Sequence, residues 1–218
     1  MYNRTENYQS DCSYISQIKA FKDNVSIKSC LSYTFSVSNS QGTSLIKDRP
    51  FTAEMTRSIM LLKEKPYRPR MADYRIGVFF TGREQLGEGA KTTAPVYYAN
   101  RWDIQPSDTA AYLCGEKVKP TKQIVFYIDN TFPEKWKPYL REGVTQWNEL
   151  FEQIGFKDVV AAKDFPTDDP EFDPDNIKYS CVRYAPSSIE NAMGPSWVDP
   201  RSGEILNASV YLYHNVIK

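Results

Sequence analysis

Hydrophobic and polar residues alternate in short runs along the first half of the chain. The runs at residues 25–29 and 33–37 have the period of two that is typical of strands with one buried face. Polar residues 38–42 follow the second run, and residues 52–62 can continue the same sheet. The pattern predicts a β-rich N-terminal region over residues 13–104.

The segments around this region have weaker patterns. We expect residues 1–12 to be a disordered or poorly ordered start and residues 105–122 to be a linker. Two prolines predict an extended connector at residues 65–70. A further strand is predicted at residues 75–80, and the glycine-rich residues 82–89 are expected to form a mobile loop.

From residue 123 the pattern becomes that of alternating strands and helices. The continuous apolar run at 124–128 predicts a strand that is buried on both faces. Residues 131–134 have the sequence of a capping box, and Gly155 is a typical helix stop, so one long helix is expected between them. Its apolar face would consist of Trp136, Leu140, Val144, Trp147, Phe151 and Ile154.

Four more strands are expected after the helix. Residues 158–162 and 176–184 are predicted to be strands, with a long acidic loop between them. Two further strands are predicted at residues 192–198 and 205–213. A tight turn at 199–203 is expected to connect them, because proline and glycine stand at suitable turn positions.

Composition and charge exclude several classes of function. The chain is 41% hydrophobic, which is enough for a buried core, and its 27 basic residues balance its 27 acidic ones. Neutrality gives no long-range attraction to nucleic acid, so no nucleic-acid partner is expected. The sequence has no apolar run of about eighteen residues and no signal peptide at its start, so no transmembrane segment is expected.

Histidine and cysteine restrict the chemistry further. His214 is the only histidine, whereas catalytic zinc sites and activated Ser or Cys nucleophiles generally need more imidazoles. The four cysteines are far apart, so free thiols are favoured over two disulfides, for which three pairings exist. The scarcity of histidine does not exclude a glycosidase that uses two carboxylates.

Several short segments, in this order, resemble the opening half of a metzincin catalytic domain. More closely, they resemble the large zinc-dependent metallopeptidases of Bacteroidetes. The strings YANRW, IVFYID, GVTQWN, IGF, TDDP, NAMGP and VDPRSGEIL carry the resemblance, at residues 98–102, 124–129, 143–148, 154–156, 167–170, 191–195 and 198–206. The stretch 68–77 also resembles the segment that precedes the peptidase domain in that family.

The resemblance implies an α+β fold. In it, the β-rich N-terminal region precedes the incomplete upper half of a metzincin-like catalytic domain at residues 123–218, with a mixed sheet and one long backing helix. It implies a zinc-dependent endopeptidase that hydrolyses peptide or protein substrates with zinc-activated water. The family's HExxHxxGxxH helix is absent from residues 1–218. We therefore expect the chain to be truncated and inactive alone, without tightly bound zinc, and its parent to be secreted, periplasmic or at the cell surface.

The resemblance also gives a candidate substrate site. In the metzincin architecture an edge strand borders the cleft and pairs with extended substrate backbone. Pro195 suits an edge or a bulge because it cannot donate a hydrogen bond. The candidate substrate-binding residues are Ala192, Met193, Gly194, Pro195, Ser196 and Trp197. The alternative is an ordinary edge strand that ends in a turn.

Other features allow further interpretations. The acidic residues 164–175 form either a solvated loop, which is favoured, or a calcium site. His214 is expected to be a structural hydrogen-bonding group rather than a metal ligand. The main alternative function is a self-contained, non-catalytic binding module of a bacterial surface protein, which would bind a glycan or a protein through the tyrosine-rich first region. A carboxylate glycosidase ranks third.

Overall fold

The structure, a computed structural model, describes residues 2–86 and 93–216. The chain forms two compact units, Met1–Leu61 and Leu62–Lys218. Strands hold 47% of the residues and helices hold 11%. The molecule is therefore mainly β, and each unit has its own sheet structure.

The first unit is an antiparallel three-stranded sheet of order β1-β2-β3. Its strands are β1 (Asn3–Ala20), β2 (Asn24–Ser38) and β3 (Ser44–Met60). The alternating pattern correctly indicated strands here, but β2 joins the two predicted runs into one strand. Residues 3–12, which were expected to be poorly ordered, form the first half of β1 because they pair along the central strand β2.

A polar side chain closes the turn between β2 and β3. The side-chain oxygen Oδ1 of Asn39 accepts hydrogen bonds from the backbone N–H groups of Gln41 at 3.0 Å and Thr43 at 2.8 Å. Gly42 has a φ of 83°, a conformation that glycine adopts without steric strain. This polar turn closely follows the sequence prediction for residues 38–42.

The second unit is built around a six-stranded sheet. Strands β7, β6, β8 and β11 lie side by side and are parallel, and the short β9 and β10 pair antiparallel with the outer edge of β11. Strands β4 and β5 form a separate antiparallel pair. The strands are β4 (Phe80–Gln85), β5 (Ala94–Ala99), β6 (Ile124–Ile128), β7 (Val160–Asp164), β8 (Ser180–Ala185), β9 (Ala192–Met193), β10 (Ser196–Val198) and β11 (Ile205–Tyr213). The helices are α1 (Thr109–Leu113), α2 (Lys137–Thr145), α3 (Trp147–Gln153) and a final 3₁₀ turn at His214–Val216.

Two clusters form the core of the second unit. In the first, Ile128 of β6 and Val182 of β8 pack with Phe132, against partly buried residues of α2 such as Leu140. In the second, Ile124 of β6 packs with Val160 of β7 and with three residues outside the strands: Val118, Phe156 and Val159. The predicted strand 124–128 is confirmed, and its two ends are fully or almost fully buried.

The prediction of an α+β fold with one long backing helix is wrong. The expected helix is two short helices, α2 and α3, which meet at Gln146. The hydroxyl of Thr145 donates to the backbone carbonyls of Arg141 at 2.9 Å and Glu142 at 3.1 Å, and such bonds disturb the helical ladder. Because the helix is interrupted there, Trp147 is 59% exposed. The prediction that it lies on the buried face of the helix is therefore wrong.

The helix also begins later than its sequence indicated. The Thr131 hydroxyl donates to Asp129 at 2.8 Å, and the Thr131 N–H donates to the same carboxylate oxygen at 2.9 Å. The threonine therefore closes a turn after β6 instead of capping a helix. Phe132 is buried by this turn, and α2 starts at Lys137.

Several predicted segments differ from the observed ones. Residues 105–122, expected to be a linker, contain α1 and contribute Val118 to the core. The strand expected at 75–80 begins only at Phe80, and the part of the predicted loop 82–89 that covers residues 87–89 lies outside the described residues. The strands expected at 158–162 and 176–184 are shifted toward the C-terminus by two and four residues at their starts.

Two further findings concern membranes and thiols. None of the helices within residues 2–86 and 93–216 is long and apolar enough to span a bilayer. All four cysteines are free thiols, as favoured from the sequence. Burial raises the pKa of the Cys181 thiol to about 12, so this thiol stays protonated at neutral pH.

Candidate functional site

Strands β9 and β10 are two pieces of one edge strand. Both pair antiparallel with β11, and the register is the same on each side of the interruption at Gly194 and Pro195. The paired residues are Ala192 with Leu212, Met193 with Tyr211, Ser196 with Ala208, and Trp197 with Asn207. The predicted substrate segment 192–197 therefore lies along the outer edge of the sheet.

Backbone hydrogen bonds show which residues of this edge face β11. The N–H of Ser209 donates to the carbonyl of Pro195 at 2.9 Å, and that of Tyr213 donates to the carbonyl of Asn191 at 3.4 Å. Successive residues of a strand present their backbone groups to opposite edges. Odd-numbered residues thus face β11, and the groups that point to the open edge belong to Ala192, Gly194 and Ser196.

The position of Pro195 within this register is informative. Its missing N–H faces β11, so the proline removes a bond from the inner ladder and none from the open edge. The N–H of Ala192 donates to the side chain of Asn191 at 2.8 Å. The outward donors that remain for an added strand are those of Gly194 and Ser196.

The side chains along the edge leave the backbone accessible. Residues 192–196 are all exposed, whereas Trp197 is half-buried. A Cβ placed on Gly194 would meet only a methyl group of Val210, at 3.9 Å. An extended peptide could therefore approach this edge without displacing a side chain at Gly194. Sequence reasoning selected this segment as a candidate, but it could not tell which amides point outward.

The turn after the edge strand is held by a buried ion pair. The carboxylate of Asp199 accepts from the backbone N–H of Arg201 at 2.8 Å and from its Nη2 at 2.8 Å. The same guanidinium donates to the backbone carbonyl of Lys63 at 2.6 Å. Hydrogen bonds from Arg201 hold the pKa of Asp199 below its ordinary value.

Replacing Asp199 with asparagine is expected to lower the free energy of unfolding by about 1–2 kcal/mol at pH 7. A lowered folded-state pKa stabilises the protein above the unfolded-state pKa of about 3.9, and this contribution is lost as the pH falls through the lower folded-state value. Urea unfolding of both proteins at pH 7 and pH 3 measures the difference. A difference that stays constant between these pH values would contradict the assignment.

His214 lies at the carboxyl ends of the parallel strands, where open sheets of this kind commonly bind ligands. Its Nδ1 is 2.5 Å from the hydroxyl of Tyr184, and its ring centroid is 5.7 Å from that of Trp136. These contacts fix the imidazole between two aromatic side chains. The prediction that His214 is a structural hydrogen-bonding group agrees with this geometry.

The described acidic, cysteine and histidine side chains do not cluster into a metal site. Across residues 2–86 and 93–216, no group of three or more His, Cys, Asp or Glu side chains is arranged to hold a metal ion. The described residues therefore do not fit a catalytic zinc ion, and no chemical step through zinc can be derived from them.

In the acidic segment 164–175, some side chains bond within the loop and others bond to a helix. Asp169 accepts from the N–H of Glu171 at 2.9 Å, whereas Asp164 pairs with Arg141 of α2 at 2.6 Å. The calcium site considered for this segment stays a prediction.

The comparisons with known proteins add one match. Residues 1–107 match a family model described as a domain of unknown function (DUF5117). The match includes the first unit and the β4–β5 pair but not the edge strand. Neither the curated proteins nor the solved structures provide a match to this chain. The matched description states no activity, so the geometry of the edge strand has to carry the functional argument.

Proposed function

We propose that this chain is part of a secreted or cell-surface zinc-dependent metalloendopeptidase and supplies the edge strand that pairs with the peptide substrate. The observation that carries the proposal is the open edge at residues 192–197. Its outward N–H groups at Gly194 and Ser196 lie two residues apart, which is the spacing that an added antiparallel strand requires. The sequence resemblance to zinc-dependent metallopeptidases supports the choice of peptide as the ligand of this edge.

In this proposal the chain's own residues bind and orient the substrate. Gly194 and Ser196 would donate to substrate carbonyls and accept from substrate amides, which fixes the peptide in an extended conformation. The Asp199–Arg201 pair holds the turn that ends the edge strand, so the strand does not have to be ordered when the substrate binds. Zinc would supply the activated water, and the described residues offer no group of ligands for it.

Expression of a longer gene product tests the proposal. We expect the product that includes the codons following residue 218 to cleave casein, with activity that 1,10-phenanthroline removes and added zinc restores. The 218-residue chain alone should show no cleavage, because the described residues lack a zinc site. Chelator-sensitive proteolysis by the short chain, or a longer product without an HExxHxxGxxH sequence, would overturn the proposal.

A second candidate function rests on the first unit. Tyr8, Tyr33 and Phe51 stand opposite one another on the three strands, with ring-centroid distances of 5.4 Å and 5.3 Å between neighbours. Tyr8 is 53% exposed and Phe51 is 38% exposed. Such a row of rings can stack against a sugar or a protein side chain. An inactive longer product would favour this binding-module function.

A further inference from the structure

The two faces of the three-stranded sheet in the first unit differ in polarity. Its register places the odd-numbered residues of β2 on one face and the even-numbered residues on the other. The odd face carries large exposed apolar side chains from both outer strands: Tyr8, Ile15, Ile18, Phe51, Met55 and Ile59. The even face is polar and holds an ion pair between Lys28 and Glu54 at 2.8 Å. A sheet with one apolar face is stable when a second layer covers that face.

The apolar face has the size of a stable protein interface. Strand β2 has 15 residues, so the face is about 50 Å long at about 3.4 Å per residue. Three strands about 4.8 Å apart make it about 14 Å wide, which gives about 700 Å² per copy. Two copies stacked through this face would bury about 1,400 Å² in total, and stable interfaces bury about 1,200–2,000 Å².

The charges on this face complement one another when the face meets a copy of itself. Glu6 of β1 and Arg49 of β3 stand on either side of Phe35 in one row across the sheet, and both are exposed. A two-fold axis along β2 places β1 of one copy over β3 of the other. Glu6 of each copy then lies over Arg49 of its partner, so the dimer contains this pair twice.

The same axis places the other charged residues of the face without a like-charge contact. Arg4 lies over Ile46 and Arg57 lies over Ile18, where the aliphatic part of an arginine can pack against the isoleucine. An axis across the strands, through the middle of β2, would instead place Arg49 over Arg57, which charge repulsion disfavours. The charges therefore select the arrangement in which the strands of the two copies run side by side in the same direction.

We propose that a second copy of this chain covers the apolar face, so that the protein is a dimer whose two three-stranded sheets stack face to face. The interface is independent of the peptidase proposal, because it contains none of residues 192–197. The row of rings in the second candidate function, Tyr8, Tyr33 and Phe51, lies inside this interface. The second copy and any other ligand of these rings therefore compete for the same face.

Sedimentation velocity of the 218-residue chain at about 1–100 μM tests the interface, since this range detects micromolar dissociation constants. We expect a dimer that dissociates on dilution. Ile18→Lys places an ammonium group on the apolar face twice per dimer and should raise the dissociation constant about tenfold or more. Gln17→Lys is the matched control, because the neighbouring Gln17 is also exposed but pairs with Lys28 on the polar face. It should leave the dissociation constant unchanged.

A charge exchange distinguishes a second copy from any other occupant. Glu6→Arg and Arg49→Glu should each weaken the dimer, and both single variants should fold because the two residues are exposed. The double variant restores opposite charges between the copies and should recover the dissociation constant to within about threefold of the wild-type value. A chain that stays monomeric, equal weakening by Ile18→Lys and Gln17→Lys, or a double variant without recovery would overturn the proposal. A monomer would leave the apolar face to a partner of another kind.

Discussion

Under the proposed function, replacing Ser196 with proline is expected to lower kcat/KM of the proposed peptidase on an extended peptide by roughly tenfold to a hundredfold. The proline removes one of the two outward N–H donors and places a ring methylene where the substrate strand would pair. Losing that bond together with the close approach of the substrate corresponds to about 1.4–2.7 kcal/mol in the transition state. The free energy of unfolding should change little, because the Ser196 N–H does not face β11.

The neighbouring position provides the matched control. Pro195→Ala adds an N–H that faces β11 and leaves the open edge unchanged, so kcat/KM should stay within about twofold of the wild-type value. Both variants are compared by peptide cleavage and by urea unfolding. If a folded Ser196→Pro protein keeps wild-type activity, or if the two variants lose activity equally, the substrate does not pair with this edge.

Replacing Gly203 with alanine is expected to lower the free energy of unfolding by about 2–5 kcal/mol. Gly203 has a φ of 75°, which strains any residue with a Cβ. A Cβ at this position would also stand 2.6 Å from the backbone carbonyl oxygen of Ala99. Main-chain atoms cannot rotate away as a side chain can, so both effects add.

Gly115→Ala separates the two causes. Gly115 has a φ of 86°, but a Cβ there would meet nothing within 4 Å, so only the backbone strain of about 1–2 kcal/mol is expected. Urea or thermal unfolding of the two variants in parallel gives the comparison. An equal loss of stability in both would show that the approach of Ala99 to Gly203 is not a real constraint.

The positions of strands and turns that depend on local residue types were largely predictable from the sequence. The apolar run at 124–128 and the turn at 199–203 have residue types that few other conformations accept, and β6 and the β10–β11 reversal appear where expected. The helix was not predictable in this way. Its extent depends on two hydroxyls, of which that of Thr131 donates to Asp129 and that of Thr145 donates to the carbonyl of Arg141.

The candidate site likewise has one part that the sequence predicted and one part that only the structure shows. Residues 192–197 were selected from the resemblance to metzincins, and Pro195 agreed with an edge because it cannot donate to a ladder. Which amides face outward depends on the register with β11, and one residue of slip would reverse it. The order of residues 3–12 was missed for a related reason. These residues of β1 are ordered by pairing with β2 and not by their own composition.

Residue-resolved amide hydrogen exchange of the proposed peptidase, with and without a non-cleavable peptide hydroxamate, tests the pairing most directly. Binding should slow exchange at Gly194 and Ser196 and leave Met193 and Trp197 unchanged, because these two residues already face β11. Protection at odd-numbered residues, or no added protection anywhere between residues 192 and 197, would contradict substrate pairing at this edge.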